Sequence, residues 1–147
     1  MLNPAPAHPL PDEFLGLVDV LTPNESEVPI LAAFTGSASV DVGAQALLAR
    51  DANAVLVTVG AVGCMLYRPG HAPHGLIGRR MTVVDAIGAG DTFTGALAAA
   101  MARGEPLPEA MRWANAAAAR SITGRGAIGG MPTLDQVGAL LAEREPS

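Results

Sequence analysis

The chain has 147 residues, a length that suits one domain, and carries a net charge of −5 at neutral pH. Half of the residues are hydrophobic but only 3% are aromatic, and all nine basic residues are arginine. Without lysine, a Walker-A phosphate loop and Schiff-base chemistry are excluded, and the acidic balance argues against a nucleic-acid partner.

The few cysteine and histidine residues exclude a disulfide framework and a histidine-rich metal site. Cys64 is the single cysteine, and His8, His71 and His74 lie in Pro/Gly-rich stretches without ligand spacing. No apolar run approaches the ~18–20 residues that span a bilayer. The first eleven residues hold four prolines and no basic segment, so they do not resemble a signal peptide. We therefore expect a cytoplasmic protein with no membrane partner.

The first half of the chain alternates apolar runs with helix signals. Buried strands are predicted at 17–21, 54–59 and 64–67, with a weak strand in the loop 68–80 and another strand at 81–84. A helix start is predicted with Thr22 as N-cap, Pro23 at the first helical position and Glu25 completing a capping box. A second helix is predicted over 41–50.

The last 60 residues are predicted to be mostly helical. An amphipathic helix runs from Phe93 to Met101 and stops at Gly104, and another runs from Pro108 to about Ser121. A capping box at 133–136 opens a final helix. Strands that alternate with helices predict a single α/β domain over 1–147, with a largely parallel sheet flanked by helices.

The sharpest motif is Asp85-Ala-Ile-Gly-Ala-Gly-Asp91-Thr-Phe, where a predicted strand ends and a helix begins. A helix start offers free backbone N–H groups and the positive end of the dipole, and Gly88 and Gly90 let an anion approach the backbone. Asp91 beside such an anion site suits a general base. The alternative is that Asp91 merely caps the helix. The later Gly95 makes a dinucleotide fingerprint a poor fit.

Three weaker motifs carry open alternatives. Asn24 and Glu27 share one face of a helix start, where they could hold phosphate-bound water and Mg²⁺ or simply form a polar first turn. The segment 58–63 follows a buried strand and could line a ligand site or form a plain hairpin turn. The glycine-rich loop 124–130 could ligate a monovalent cation or act as a flexible connector.

In this order, the motifs resemble the C-terminal half of the ribokinase-like sugar kinases, the phosphofructokinase B family. The resemblance extends over nearly the whole chain, from Leu2-Asn-Pro and Val18-Asp-Val-Leu-Thr-Pro-Asn-Glu-Ser-Glu27 through the Gly-Ala-Gly-Asp block to Glu109-Ala-Met-Arg-Trp-Ala-Asn115. It implies a truncated three-layer α/β fold. Family members are about twice as long, so the sugar-binding N-terminal half and the lid are expected to be absent.

The resemblance also implies roles for single residues. Asp91 matches the catalytic base, and Gly88, Ala89 and Gly90 match the anion hole. One set of residues matches positions that contact ATP: Asn24, Glu27, Thr58, Val59, Gly60, Ala61, Val62, Gly63 and Asn115. Glu27 also matches the residue that organises Mg²⁺. A potassium site is implied at Asp85, Ile87, Ser121, Gly124 and Gly126, although Gly130 stands where the family usually has Ser.

The implied activity is ATP-dependent phosphorylation of a sugar hydroxyl, and overall resemblance favours ribose. ATP, Mg²⁺ and K⁺ are the expected cofactors, and ATP and a sugar are the expected ligands. The alternative is a catalytically incompetent nucleotide-binding fragment, or a subunit that pairs with another chain. We expect a homo-oligomer, or pairing with the missing N-terminal half.

Overall fold

The computed structural model describes residues 1–34 and 38–143, which gather in two compact units, Met1–Ile77 and Gly78–Ser147. The first unit holds three helices and three strands: α1 (Asp12–Leu15), α2 (Val28–Leu31), α3 (Val40–Leu48), β1 (Val55–Val59), β2 (Gly63–Tyr67) and β3 (His74–Ile77). The second unit holds α4 (Ala89–Ala102), α5 (Leu107–Ser121) and α6 (Leu134–Ala142). In the described residues, no helix has both the length and the apolar character needed to cross a bilayer.

The strands of the first unit form an antiparallel sheet in the order β1-β2-β3. Val55 pairs with Tyr67, and Cys64 pairs with Leu76. A single 3₁₀ turn, Gly60–Val62, connects β1 to β2. So short a connection permits only an antiparallel pair, because a parallel pair needs a long crossover. The sheet therefore differs from the largely parallel one that the sequence predicted.

Within the part of the chain that the structure describes, parallel pairing is found only in three isolated bridges, two of which involve β1. Leu21 bridges Leu2 and Val55, and Asn24 bridges Thr58. The strand predicted at 17–21 reduces to this one bridging residue. The bridges nevertheless extend the sheet by short segments and hold the chain around Asn24 beside the end of β1.

The core of the first unit lies between the sheet and the helices α2 and α3. Val55 and Val57 of β1 pack with Leu47 of α3 and Val28 of α2 in one apolar cluster. Tyr67 is buried at the edge of this cluster, and its hydroxyl donates a 2.6 Å hydrogen bond to Asp41. Burial and this neighbouring carboxylate raise the pKa of the Tyr67 hydroxyl well above its usual range. The helix predicted over 41–50 is confirmed, with its bounds moved by one to two residues.

The second unit is a layer of helices with many small side chains. Ala116 and Ala117 of α5 pack with Val137 and Leu140 of α6. Thr133 and Gln136 form the predicted capping box, with each side chain bonded to the backbone of the other residue. These three helices confirm the helical prediction for this part of the chain.

The strand predicted at 81–84 is wrong, because residues 78–88 contain neither helix nor strand in the structure. Val83 and Val84 are 62% and 52% exposed. A β-branched run forms a strand only where a neighbouring strand pairs with it, and none of the described strands lies beside this one. The segment instead bonds to the end of α5, where Val84 N–H and Asp85 N–H both donate to the carbonyl of Ile122.

Candidate functional site

The turn into α4 has the geometry of an anion site. Gly88 is the N-cap of α4 with φ +79°, and the Thr92 N–H donates the first helical hydrogen bond to its carbonyl at 2.8 Å. The N–H groups of Gly90 and Asp91 precede that bond, so they have no acceptor one turn back within the helix. The first turn therefore presents donors and a positive dipole end to an anion.

The two glycines of this turn are required for different reasons. A Cβ on Gly88 would lie 2.7 Å from the Ala127 Cβ, and its positive φ is a conformation that other residues adopt at a cost. A Cβ on Gly90 would meet no atom within 4 Å. Gly88 thus shapes the turn, whereas Gly90 leaves open space above the backbone.

Asp91 is the third residue of α4 and is exposed. No side chain caps this helix, so the alternative that Asp91 serves as its N-cap is wrong. An acid in the first turn still interacts favourably with the dipole. Its exposure leaves the carboxylate accessible to a ligand.

Asp91 also lines a cleft of about 340 Å³ in the second unit. Small residues of α4 form one wall, and Trp113 of α5 forms part of another, with the Arg103 guanidinium 5.2 Å from its ring centre. The Thr92 hydroxyl in this wall is buried and has no hydrogen-bond partner among the described residues. The volume suits a small ligand. Asn115, predicted near a nucleotide, is half-buried on α5.

In the first unit, Asn24 and Glu27 bond to each other reciprocally. The Asn24 side chain accepts from the Glu27 N–H at 3.0 Å, and the Glu27 carboxylate accepts from the Asn24 N–H at 2.8 Å. This is the pattern of a capping box. The prediction that Thr22 begins the helix is wrong, because its hydroxyl donates to the Leu2 carbonyl instead.

The Asn24 bridge to Thr58 places two of the predicted nucleotide-contacting segments side by side. The segment 58–63 comprises the end of β1, the 3₁₀ turn Gly60–Val62 and the first residue of β2, so the hairpin interpretation of its form is confirmed. Sequence reasoning missed Glu25 as a member of this group. Its N–H donates to the Thr58 carbonyl at 3.0 Å, and its carboxylate lies 3.6 Å from where a Cβ on Gly60 would stand.

The position of Glu27 is compatible with a contribution to Mg²⁺ binding. Within residues 1–34 and 38–143 there is no metal site composed of protein side chains alone. No cluster of three or more His, Cys, Asp or Glu side chains is found within 1–34 and 38–143. Magnesium is commonly held by one or two carboxylates together with substrate phosphates and water. A half-buried Glu27, with Glu25 two residues away, can supply that limited protein share.

Asp85 is hydrogen-bonded to two of the other residues assigned to potassium. Both carboxylate oxygens of Asp85 accept backbone N–H groups, from Ile87 at 3.0 Å and from Gly126 at 2.8 Å. These bonds hold the pKa of Asp85 below its usual range. The carbonyls of Ser121 and Gly126 also accept backbone N–H groups. Potassium is bound by oxygens that replace its hydration shell, and an oxygen that accepts one N–H group keeps a further lone pair, so the potassium site stays a prediction.

The first 134 residues match the family model described as pfkB family carbohydrate kinase. Ribokinase from Haemophilus influenzae is 37% identical over 135 residues, which are 90% of this chain and 44% of that protein. Ribokinase from Bacillus subtilis is 38% identical over 142 residues, or 97% of this chain and 46% of that protein. The chain thus spans about half the length of the curated relatives it matches.

Solved structures show the same fold over the same share of length. Ribokinase from Thermotoga maritima matches 96% of this chain and 48% of its own, with a TM-score of 0.88 and 34% identity. Arabidopsis thaliana ribokinase, complexed with ribose and ATP, matches 92% of this chain and 45% of its own. Its TM-score is 0.85 and its sequence identity is 34%. A putative ribokinase II from E. coli, in complex with ATP and Mg²⁺, matches 88% of this chain and 41% of its own. Its TM-score is 0.78 and its sequence identity is 27%.

Proposed function

The chain belongs to the pfkB family of carbohydrate kinases, and on that premise we propose that it is the nucleotide-binding, catalytic half of an ATP-dependent sugar kinase. We propose ribose as the sugar, since the relatives named above are ribokinases and one is complexed with ribose and ATP. The observation that carries the proposal is the turn at Gly88–Gly90, with Asp91 beside it on a cleft.

In the proposed reaction, the Asp91 carboxylate takes the proton from the attacking sugar hydroxyl. The sugar oxygen forms a bond to the γ-phosphorus of ATP while the bond to the leaving ADP oxygen breaks. The backbone of Gly88, Ala89 and Gly90 forms the anion hole that stabilises the charge on the transferring phosphoryl group. The Ala89 N–H donates to the Ala86 carbonyl at 3.3 Å in the structure, so it would have to exchange that acceptor for a phosphoryl oxygen. Such positioning and electrostatic stabilisation supply most of the catalysis of phosphoryl transfer.

The remaining site residues contact the nucleotide in this proposal. On the family resemblance we assign this role to Asn24, Glu27, residues 58–63 and Asn115. Magnesium, when bound with ATP, neutralises phosphate charge, and Glu27 would hold it or its water ligands. We place the activity in the cytoplasm, where ATP is available.

A second candidate is a nucleotide-binding chain that does not catalyse transfer alone. The chain spans 44–46% of the length of these relatives. Holding a sugar hydroxyl in line with the γ-phosphate can supply about 7–11 kcal/mol of the barrier, and positioning requires contacts to the sugar. Such a chain would act by pairing with a second copy or with a separate sugar-binding half.

The test joins this chain to the remaining N-terminal part of the Bacillus subtilis ribokinase and measures ribose-dependent ADP release. Asp91→Asn should lower the rate about 10²–10⁴-fold and change ADP affinity only a few-fold, because the base acts on the sugar proton. Asp135→Asn, an exposed first-turn acid on α6, is the matched control. Full turnover in Asp91→Asn would overturn the assignment of the base.

The chain alone is assayed beside the fusion. ADP binding without ribose phosphorylation favours the second candidate, and ribose phosphorylation favours the first. No ADP binding at millimolar concentration in either form would overturn both.

A further inference from the structure

Helix α4 consists almost entirely of apolar and small residues. Between Asp91 and Arg103 the sequence contains no charged residue. A helix that is apolar on all sides is normally covered on all sides. Leu97, on one side of α4, is fully buried, whereas Gly95 and Ala99 on another side are exposed. The exposed side of α4 is therefore suited to contact another apolar surface.

A row of residues at a spacing of four runs along this exposed side. Its members are all exposed and all line the cleft in the second unit: Asp91, Gly95, Ala99 and Arg103. Rows at this spacing form the ridges that interlock when two helices pack, and small residues let the helices come close. A Cβ on Gly95 would meet no atom within 4 Å. At 1.5 Å per residue the row is about 18 Å long, the length of a helix of about 12 residues.

The two ends of the row carry opposite charges. Asp91 lies in the first turn of α4 and Arg103 is its C-cap. Neither side chain is in an ion pair in the part of the chain that the structure describes. The two inner residues of the row lie equally far from its midpoint, and so do its two charged ends. In an antiparallel pair of α4 helices about a two-fold axis at this midpoint, Asp91 of each copy would lie beside Arg103 of the other.

The backbone of α4 favours a helix as the occupant of the cleft. Beyond its first turn, a helix bonds its N–H groups internally, so it offers no hydrogen bonds to a strand or loop placed against it. A second helix brings a backbone that is already satisfied. Thr92 lines the same cleft, is 7% exposed, and its hydroxyl has no hydrogen-bond partner among the described residues. The cleft therefore combines an apolar surface for a helix with a buried hydroxyl that an occupant can bond.

We propose that a second copy of this chain packs antiparallel on the exposed side of α4, with Asp91 of each copy paired with Arg103 of the other. The two-fold arrangement forms this charge pair twice and places Gly95 beside Ala99 of the other copy. The contact covers Asp91, so the paired state is closed to a sugar, and this consequence alone rests on the proposed function.

The first experiment reverses charges in the full 147-residue chain, with Ile77→Lys in every sample so that β3 does not contribute to association. Asp91→Arg alone and Arg103→Glu alone each place like charges at both ends of the pair. Sedimentation at tens of micromolar should show a dimer without these changes, and each single variant should raise the dissociation constant about tenfold or more. An equal mixture of the two variants should restore a dimer with one copy of each, because every contact again joins opposite charges.

Asp135→Arg and Arg112→Glu are the matched controls, since they reverse exposed charges on α6 and α5. Each should change the dissociation constant by less than about twofold, alone and in the mixture. Thermal melting establishes that every variant is folded at the temperature of the measurement. A mixture of Asp91→Arg and Arg103→Glu that stays monomeric would overturn the proposal, as would single variants that pair as tightly as the unreversed chain.

The last measurement tests a separate sugar-binding half as the occupant instead. The part of the Bacillus subtilis ribokinase that this chain does not match is co-expressed with the chain. If this part binds while the chain alone is monomeric, the other half is the occupant and the proposal fails. A dimer of the chain alone that the mixture of reversed charges reconstitutes supports the proposal whether or not ADP binds, so this result does not depend on the proposed function.

Discussion

At the scale of single residues, the candidate phosphate site depends on two glycines with opposite requirements. Gly88 holds φ +79° and touches Ala127, whereas Gly90 faces open space. Replacing each glycine by alanine therefore tests two different properties. At Gly88 it tests the stability of the turn, and at Gly90 it tests whether a ligand can approach the backbone.

Gly88→Ala should lower the free energy of unfolding by about 1–3 kcal/mol, because it combines left-handed strain with a 2.7 Å contact. Gly90→Ala should leave the free energy of unfolding unchanged or slightly higher, since alanine favours helix, but should weaken ADP binding by limiting approach to the backbone. Urea unfolding and calorimetry measure the two effects. Equal loss of stability in both variants would contradict the assignment.

At the scale of elements, replacing glycine by alanine should change the free energy of unfolding in opposite directions in two helices. Gly43 of α3 lies so close to α2 that a Cβ would stand 2.3 Å from the Val28 Cγ1, whereas a Cβ on Gly95 of α4 would meet nothing within 4 Å. Gly43→Ala should cost about 1–3 kcal/mol through overpacking, and Gly95→Ala should add about 0.5–1 kcal/mol of helix stability. Thermal melting of the two variants checks this, and a stabilised Gly43→Ala would count against the close packing.

Elements were predictable where their signals are local. The helices from 89 to 142 follow from side-chain period, from Gly104 as a stop and from the capping box at Thr133. The Gly-Ala-Gly-Asp turn was recognisable because its glycines, acid and helix start are consecutive. Strand pairing was less predictable, since the run at 81–84 has strand propensity but no strand to pair with. The bond from Asp85 to Gly126 spans 41 residues, and no local pattern encodes such a contact.

At the scale of the whole molecule, we expect the 147-residue chain to associate. β3 pairs with β2 along one edge, and no described strand pairs with its other edge. Ile77 on this strand is 81% exposed. An edge strand that carries an exposed apolar side chain is a site for pairing with a second copy.

Sedimentation at tens of micromolar should therefore show a dimer or larger species. Ile77→Lys should shift the distribution toward monomer, because a charge on an edge strand opposes edge-to-edge pairing. Val42→Lys, on the exposed side of α3, is the control. A strictly monomeric wild type would contradict the prediction.

The Thr92 hydroxyl is buried and has no hydrogen-bond partner within residues 1–34 and 38–143, and this affects the stability of the fold. A buried hydroxyl without a partner costs about 1–3 kcal/mol, so Thr92→Val should leave the free energy of unfolding equal or higher in a urea titration. A clear loss of stability would show that the hydroxyl already has a partner in solution. Valine would then favour folding more than threonine does, and the Thr92 hydroxyl would find a hydrogen-bond partner in a molecule bound in the cleft, water included.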